Sequence, residues 1–217
     1  MLFENCFMIV VEDSEASNYY ASYCIPSWEK AGLKVKKFPA ITPKTLVKQK
    51  ELRFTKYSHA RKYLNLNLKA EITDTEKAVW YSHFKLWQEC CFLNQEILIM
   101  EHDSFLEHPE KLWKNDNYGI IFYDKAAMGS YAIKPWFAKK LVEVSMDTEI
   151  TAGPYSFIHG FALHEKIVDK VVNSSHKKYV PCSNQVMSSK YGNTVEHYCN
   201  IHPEHWSQDK FHKFIEI

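Results

Sequence analysis

The chain has 217 residues, 46% of them apolar, enough for one domain of ordinary size with a real core. A formal net charge of +1 gives no global field to draw the chain onto nucleic acid or a membrane, so an anionic ligand has to be held by a local site. Six cysteines without a CxxC pair, and no apolar stretch long enough for a signal peptide or a membrane span, point to a reducing, cytoplasmic location.

Residues 6–11 are an apolar run ending on Glu12, Asp13 and Ser14, the pattern of a buried central strand with polar residues at its end. Ser14 then caps a helix over 14–31, with Tyr19, Tyr20, Tyr23 and Trp28 on its apolar side and Pro26 obscuring its end. Lys34 to Phe38 alternates as a second strand, followed by Pro39, Ala40, Ile41 and Thr42. Strand, helix, strand opens an α/β sheet. Residues 43–72 carry Lys44, Lys48, Lys50, Arg53, Lys56, Arg61, Lys62 and Lys69 with few acids. The plain reading is a solvated face; the functional one is a flap that supplies cations to a diphosphate.

Thr73-Asp74-Thr75-Glu76 is a capping box. It opens a helix whose Val79, Trp80, His83, Phe84, Trp87, Cys90 and Cys91 fall at helical spacing. From spacing alone, His83 is more often a satisfied core residue than a ligand. Ile97 to Met100 is a four-residue apolar run that meets Glu101, His102 and Asp103. Two carboxylates two positions apart point to one side of an extended strand. They would offer hard oxygen ligands to Mn2+ or Mg2+ at its open end, the plain alternative being a solvated loop. Strands at 118–123 and 130–133, a helix from Pro135 through 144 and another at 157–172 follow, and 177–201 reads as strands or loops. The tail holds His197, Cys199, His202 and His205. No standard zinc pattern fits them, but one, His197, is a candidate to complete a metal held by Asp103. P-loop, GxGxxG, GxSxG and HExxH motifs are all absent. With six glycines in the chain, phosphate is better held through a metal and basic side chains than by a backbone cradle.

In order, Phe38-Pro39-Ala40-Ile41, Glu76, Ser82-His83 with Trp87, and Ile97 through Asp103 resemble the motif series of glycosyltransferase family 25. That series has an F-x-A-V-D-G turn, a G-E-x-G-C-x-x-S-H helix start and an L-E-D-D metal motif. Tyr131-Ala132-Ile133 with Ala138-Lys139-Lys140-Leu141, and Pro181, Gln185 and Ser188-Ser189, resemble two later segments, so the order holds over about residues 6–190. The resemblance implies one GT-A (Rossmann-like) α/β domain over 1–217, standing alone or as part of a longer natural chain, with a mixed central sheet flanked by helices. A narrower likeness to a viral domain of this kind implies the host cytoplasm.

On this resemblance, Val11, Glu12, Asp13, Ala40, Ser82, His83, Glu101 and Gln185 meet a nucleotide sugar. Glu101, Asp103 and His197 meet Mn2+ or Mg2+, and Asp103, Glu149 and His159 are the catalytic candidates, with Asp147 beside them. The implied activity moves a hexose or deoxyhexose from a nucleoside-diphosphate sugar, UDP-linked, to a glycan or glycoprotein acceptor, carried out by a monomer without nucleic acid or membrane. Three departures stand out. His102 replaces the middle acid, Ile41-Thr42 replaces the D-G pair, and residues 153–156 hold no acid, which leaves the catalytic base open. Two other classes stay in play: a non-catalytic nucleotide-sugar or glycan-binding module, and a metal-dependent phosphohydrolase or nucleotidyltransferase using the same acids.

Overall fold

A computed structural model describes residues 2–55, 72–112, 114, 119–123, 129–150, 153–154, 157–158 and 195–197. The first strand, β1 (Asn5–Val10), is buried along its whole length. Ser14 caps helix α1 (Glu15–Lys30), its side chain accepting from the Ser17 amide at 3.2 Å. The helix continues through Pro26, so the expected end near residue 31 holds. Its buried face differs from the expected one: Tyr20, Ala21, Cys24 and Trp28 pack inward, while Tyr19 is half-buried and Tyr23 is exposed. Trp28 sets this rotation by donating its indole N–H to the Ser104 carbonyl at 2.7 Å. Tyr23 then stands about 100° around the axis from Cys24.

Strand β2 (Val35–Pro39) returns parallel to β1. The basic segment contributes a short helix α2 (Pro43–Leu46) and a two-residue strand β3 (Arg53–Phe54); Lys56, Arg61, Lys62 and Lys69 lie outside the described residues. Helix α3 (Asp74–Leu93) starts on the expected capping box, with Thr73 and Glu76 each satisfying the other's backbone N–H. Strand β4 (Ile97–Glu101) follows, then β5 (Ser104–Leu106), a 3-10 turn at Pro109–Lys111, β6 (Ile120–Phe122), β7 (Ser130–Ile133), helix α4 (Pro135–Asp147), β8 (Glu149–Ile150) and β9 (Val195–His197). Of the helix expected over 157–172, Phe157 and Ile158 are helical and the remainder lies outside the described residues.

The central sheet has the order β2-β1-β4-β7-β6. β1 runs parallel to both neighbours, and β7 runs antiparallel to β4 and β6. This is the mixed α/β sheet flanked by helices that the motif order implied. Strand alternation divides its residues between two cores. Phe7, Ile9, Ile97, Ile99, Tyr131 and Ile133 face α3 and α4. Cys6, Met8, Val10, Leu98, Met100 and Ala132 face α1. Two small sheets, β3-β8 and β5-β9, stand beside the main one. Among the described residues no helix is long and apolar enough to cross a membrane.

Candidate active site

A cavity of about 210 Å3 opens where β1, β2 and β4 end. Ile9, Val11 and Ser14 line it from β1 and the turn after it, Ala40 to Pro43 from the segment after β2, Thr75, Ala78, Val79, Ser82 and His83 from α3, and Glu101 and His102 from the end of β4. Ligands of open α/β sheets collect at this carboxyl edge. Val79, expected in the core, is 41% exposed because it faces this cavity.

Side chains, not glycines, hold the walls in place. Asn18 donates its amide to the carbonyls of Glu12 and Ser14, each at 2.9 Å, and Ser17 accepts from the Val11 amide at 3.0 Å. Ser82, 2% exposed, donates to the Ala78 carbonyl and accepts from the Ile41 amide, both at 2.9 Å. Its hydroxyl therefore ties the wall after β2 to α3. Glu12 and Asp13 are exposed, and Lys44 donates to Asp13 at 3.1 Å.

The acidic motif departs from the extended geometry the spacing implied. β4 stops at Glu101, and His102 and Asp103 occupy a turn. The turn is forced at both ends: the Glu101 amide donates to the Gly129 carbonyl at 2.8 Å, and the Ser104 hydroxyl bonds that same carbonyl. Glu101 and His102 line the cavity, whereas Asp103 is half-buried in the turn behind them.

By strand parity Glu101 falls on the α3 side of the sheet, with Ile97 and Ile99. There its Oε1 lies 3.7 Å from Nε2 of His83. His83, 1% exposed, has its Nδ1 2.9 Å from the Tyr131 hydroxyl, and that oxygen accepts the Trp87 indole N–H at 2.9 Å. Burial holds the Tyr131 phenol well above its ordinary range, so it stays protonated. Sequence spacing selected His83 and Trp87 but could not find Tyr131 as their shared partner, 48 residues from His83.

Glu101 and Asp103 offer two hard oxygen donors, the type that suits Mn2+ or Mg2+ when phosphate and water complete the shell. Among the described residues no three His, Cys, Asp or Glu side chains come together as a metal site. The donor set fits an ion shared with a ligand better than one caged by protein. The backbone of His197 pairs with Ser104, next to Asp103, through the β5–β9 register. Glu149 is exposed on β8, in the separate β3-β8 sheet, and does not line the cavity. Arg53, from the basic segment, donates to the Asp147 carbonyl at 2.8 Å. His159 and Gln185 lie outside the described residues.

Comparison with known families supplies the class. Residues 23–120 match glycosyltransferase family 25 (LPS biosynthesis protein). The family 25 match covers a little under half of the chain. It contains Ala40, Ser82, His83 and Glu101 of the cavity wall and Asp103 of the acidic turn, while Ile9, Val11 and Ser14 lie before it. The family likeness expected from the motifs is borne out over this span, and with it the enzyme class. No curated protein matches the chain. A glycosyltransferase involved in the glycosylation of the major capsid of PBCV-1 aligns over 90% of this chain and 93% of its own, at 9% identity and a TM-score of 0.45. The inositol-1-phosphate CTP transferase from T. maritima aligns over 76% and 83%, at 13% identity and a TM-score of 0.43.

Proposed function

We propose that this protein is a metal-dependent glycosyltransferase that takes a sugar from a nucleoside diphosphate, UDP by preference, and passes it to a hydroxyl of a glycan acceptor. The observation that carries this reading is the coincidence of the family 25 match with the cavity: the α3 wall and the acidic turn lie inside the matched span.

The apolar wall of Ile9, Val11, Ala40 and Pro43 suits the flat face of a base. Glu101, on the cavity wall, would accept from ribose hydroxyls, and Asp103 in the adjacent turn would offer its carboxylate to the metal. A bound divalent ion supplies positive charge against the departing diphosphate. Lys44 stands by the turn after β1, tethered to Asp13, and adds a cation there. If configuration is inverted, a carboxylate or imidazole has to take the acceptor proton. Glu149, His159 and Asp147 remain the candidates; a retaining reaction would not need them in that role.

The test is to incubate the protein with UDP-, GDP- and TDP-sugars and Mn2+ and to analyse the released nucleotide. Release of nucleoside diphosphate that Asp103→Ala abolishes is the expected result. Sugar or nucleotide binding without release from any donor would replace the reading with a binding module. Release of monophosphate would replace it with a phosphohydrolase.

A further inference from the structure

The buried chain behind the cavity has a direction that chemistry can assign. The Tyr131 oxygen accepts one hydrogen bond from Trp87, at 2.9 Å. A phenol has one proton of its own to give. The polar atom that meets it is Nδ1 of His83, 2.9 Å away, in surroundings from which water is excluded, with Tyr131 0% and His83 1% exposed. A neutral imidazole that accepts at Nδ1 carries its proton at Nε2. Nε2 is the atom that faces Glu101, 3.7 Å from Oε1.

We infer that Tyr131 fixes the tautomer of His83, and that His83 in turn holds Glu101, so that both are positioning residues for a carboxylate that meets the ligand. His83 Nε2–H engages Oε1, and the other carboxylate oxygen is left for the cavity. At 3.7 Å the contact exceeds a hydrogen bond. It shortens when Glu101 swings toward α3, which the 30% exposure of its side chain permits. Reversing the tautomer would turn a lone pair toward the carboxylate and repel it. The tautomer assignment is independent of any activity; that the free oxygen meets a ribose or a metal-bound water rests on the proposed donor site.

Two measurements separate these parts. With 15N-labelled histidine, long-range 1H–15N correlation of the ligand-free protein reports the proton on each ring nitrogen. The wild type is expected to show His83 as the Nε2–H tautomer, and Tyr131→Phe to lose that pure state. A wild-type Nδ1–H signature, or an unchanged Tyr131→Phe spectrum, overturns the inference. If Tyr131→Phe does not fold, the wild-type spectrum still decides. For the second part, UDP with Mn2+ is titrated into His83→Gln and His83→Asn. Gln places its amide nitrogen near the Nε2 position and Asn near the Nδ1 position. Gln is expected to keep wild-type affinity and Asn to lose about tenfold, as for a lost hydrogen bond to a charged group. Equal losses overturn the positioning role. No UDP binding to wild type, with the tautomer as assigned, would remove the donor-site reading and the ligand-facing role of Glu101, leaving the tautomer assignment intact.

Discussion

Ser82 is a hinge pin between two walls of the cavity. Its hydroxyl is the acceptor for the Ile41 amide, so Ser82→Ala leaves a partly buried N–H without that partner. A loss of about 1–3 kcal/mol is expected, together with a donor KM that rises more than kcat falls; melting and initial-rate kinetics check the two. The thiols report on burial. Burial pushes Cys90 up to about 12 and Cys6 up to about 11. For an acid raised in the folded state, the stabilising contribution is complete below the unfolded thiol's value and is lost as pH rises toward the folded one. The melting temperature is therefore expected to fall above about pH 9, and Cys90→Ala to fall less steeply over the same range. The apolar run marks Glu101 and helical spacing marks His83 in the sequence, while Ser82 is marked only by the motif resemblance. The sequence did not reveal Asn18 or Tyr131, whose roles depend on backbone carbonyls and a neighbour that only folding supplies.

At the scale of elements, local chemistry was the readable part. The Thr73–Glu76 box starts α3 where it was expected. Thr73→Ala should cost about 1 kcal/mol, seen as a lower midpoint in urea with an unchanged m-value. Pro26 made the end of α1 uncertain but does not stop it, since Trp28 beyond it is anchored to the Ser104 carbonyl and packs in the core on the α1 side. Tertiary contact outweighs a helix penalty of about 3 kcal/mol. Pro26→Ala should accordingly raise the melting temperature without altering the cavity. Strand β5 escaped notice because three residues are too few to show a period, and β9 falls in the stretch read only as strands or loops. β5 follows the turn that holds Asp103, so the extended geometry implied by the acid-x-acid spacing ends at Glu101.

For the whole molecule, a mixed sheet was expected from the resemblance, but its order was not readable. Apolar runs at 97–100 and 130–133 look alike whether the strands run parallel or antiparallel. The cavity at the carboxyl edge makes a global prediction. UDP with Mn2+ at a hundredfold excess over Kd should stabilise the fold by about 2.7 kcal/mol, visible as a concentration-dependent rise in melting temperature. Asp103→Ala should abolish the Mn2+ dependence of that rise.

The reversed direction of β7 has a geometrical outcome. Met100 pairs with Ser130 and Phe122 with Tyr131, so the connection over 123–129 both leaves and rejoins the sheet at the edge where β4 ends. Helix α1, by contrast, carries the chain from that edge to the opposite one. Both ends of that connection are tied down: Tyr123 is buried in the core on the α1 side, and the Gly129 carbonyl accepts from the Glu101 amide and the Ser104 hydroxyl. The pairing of β6 with β7 therefore reaches the cavity through Gly129, and a shift in that pairing would be felt at Glu101.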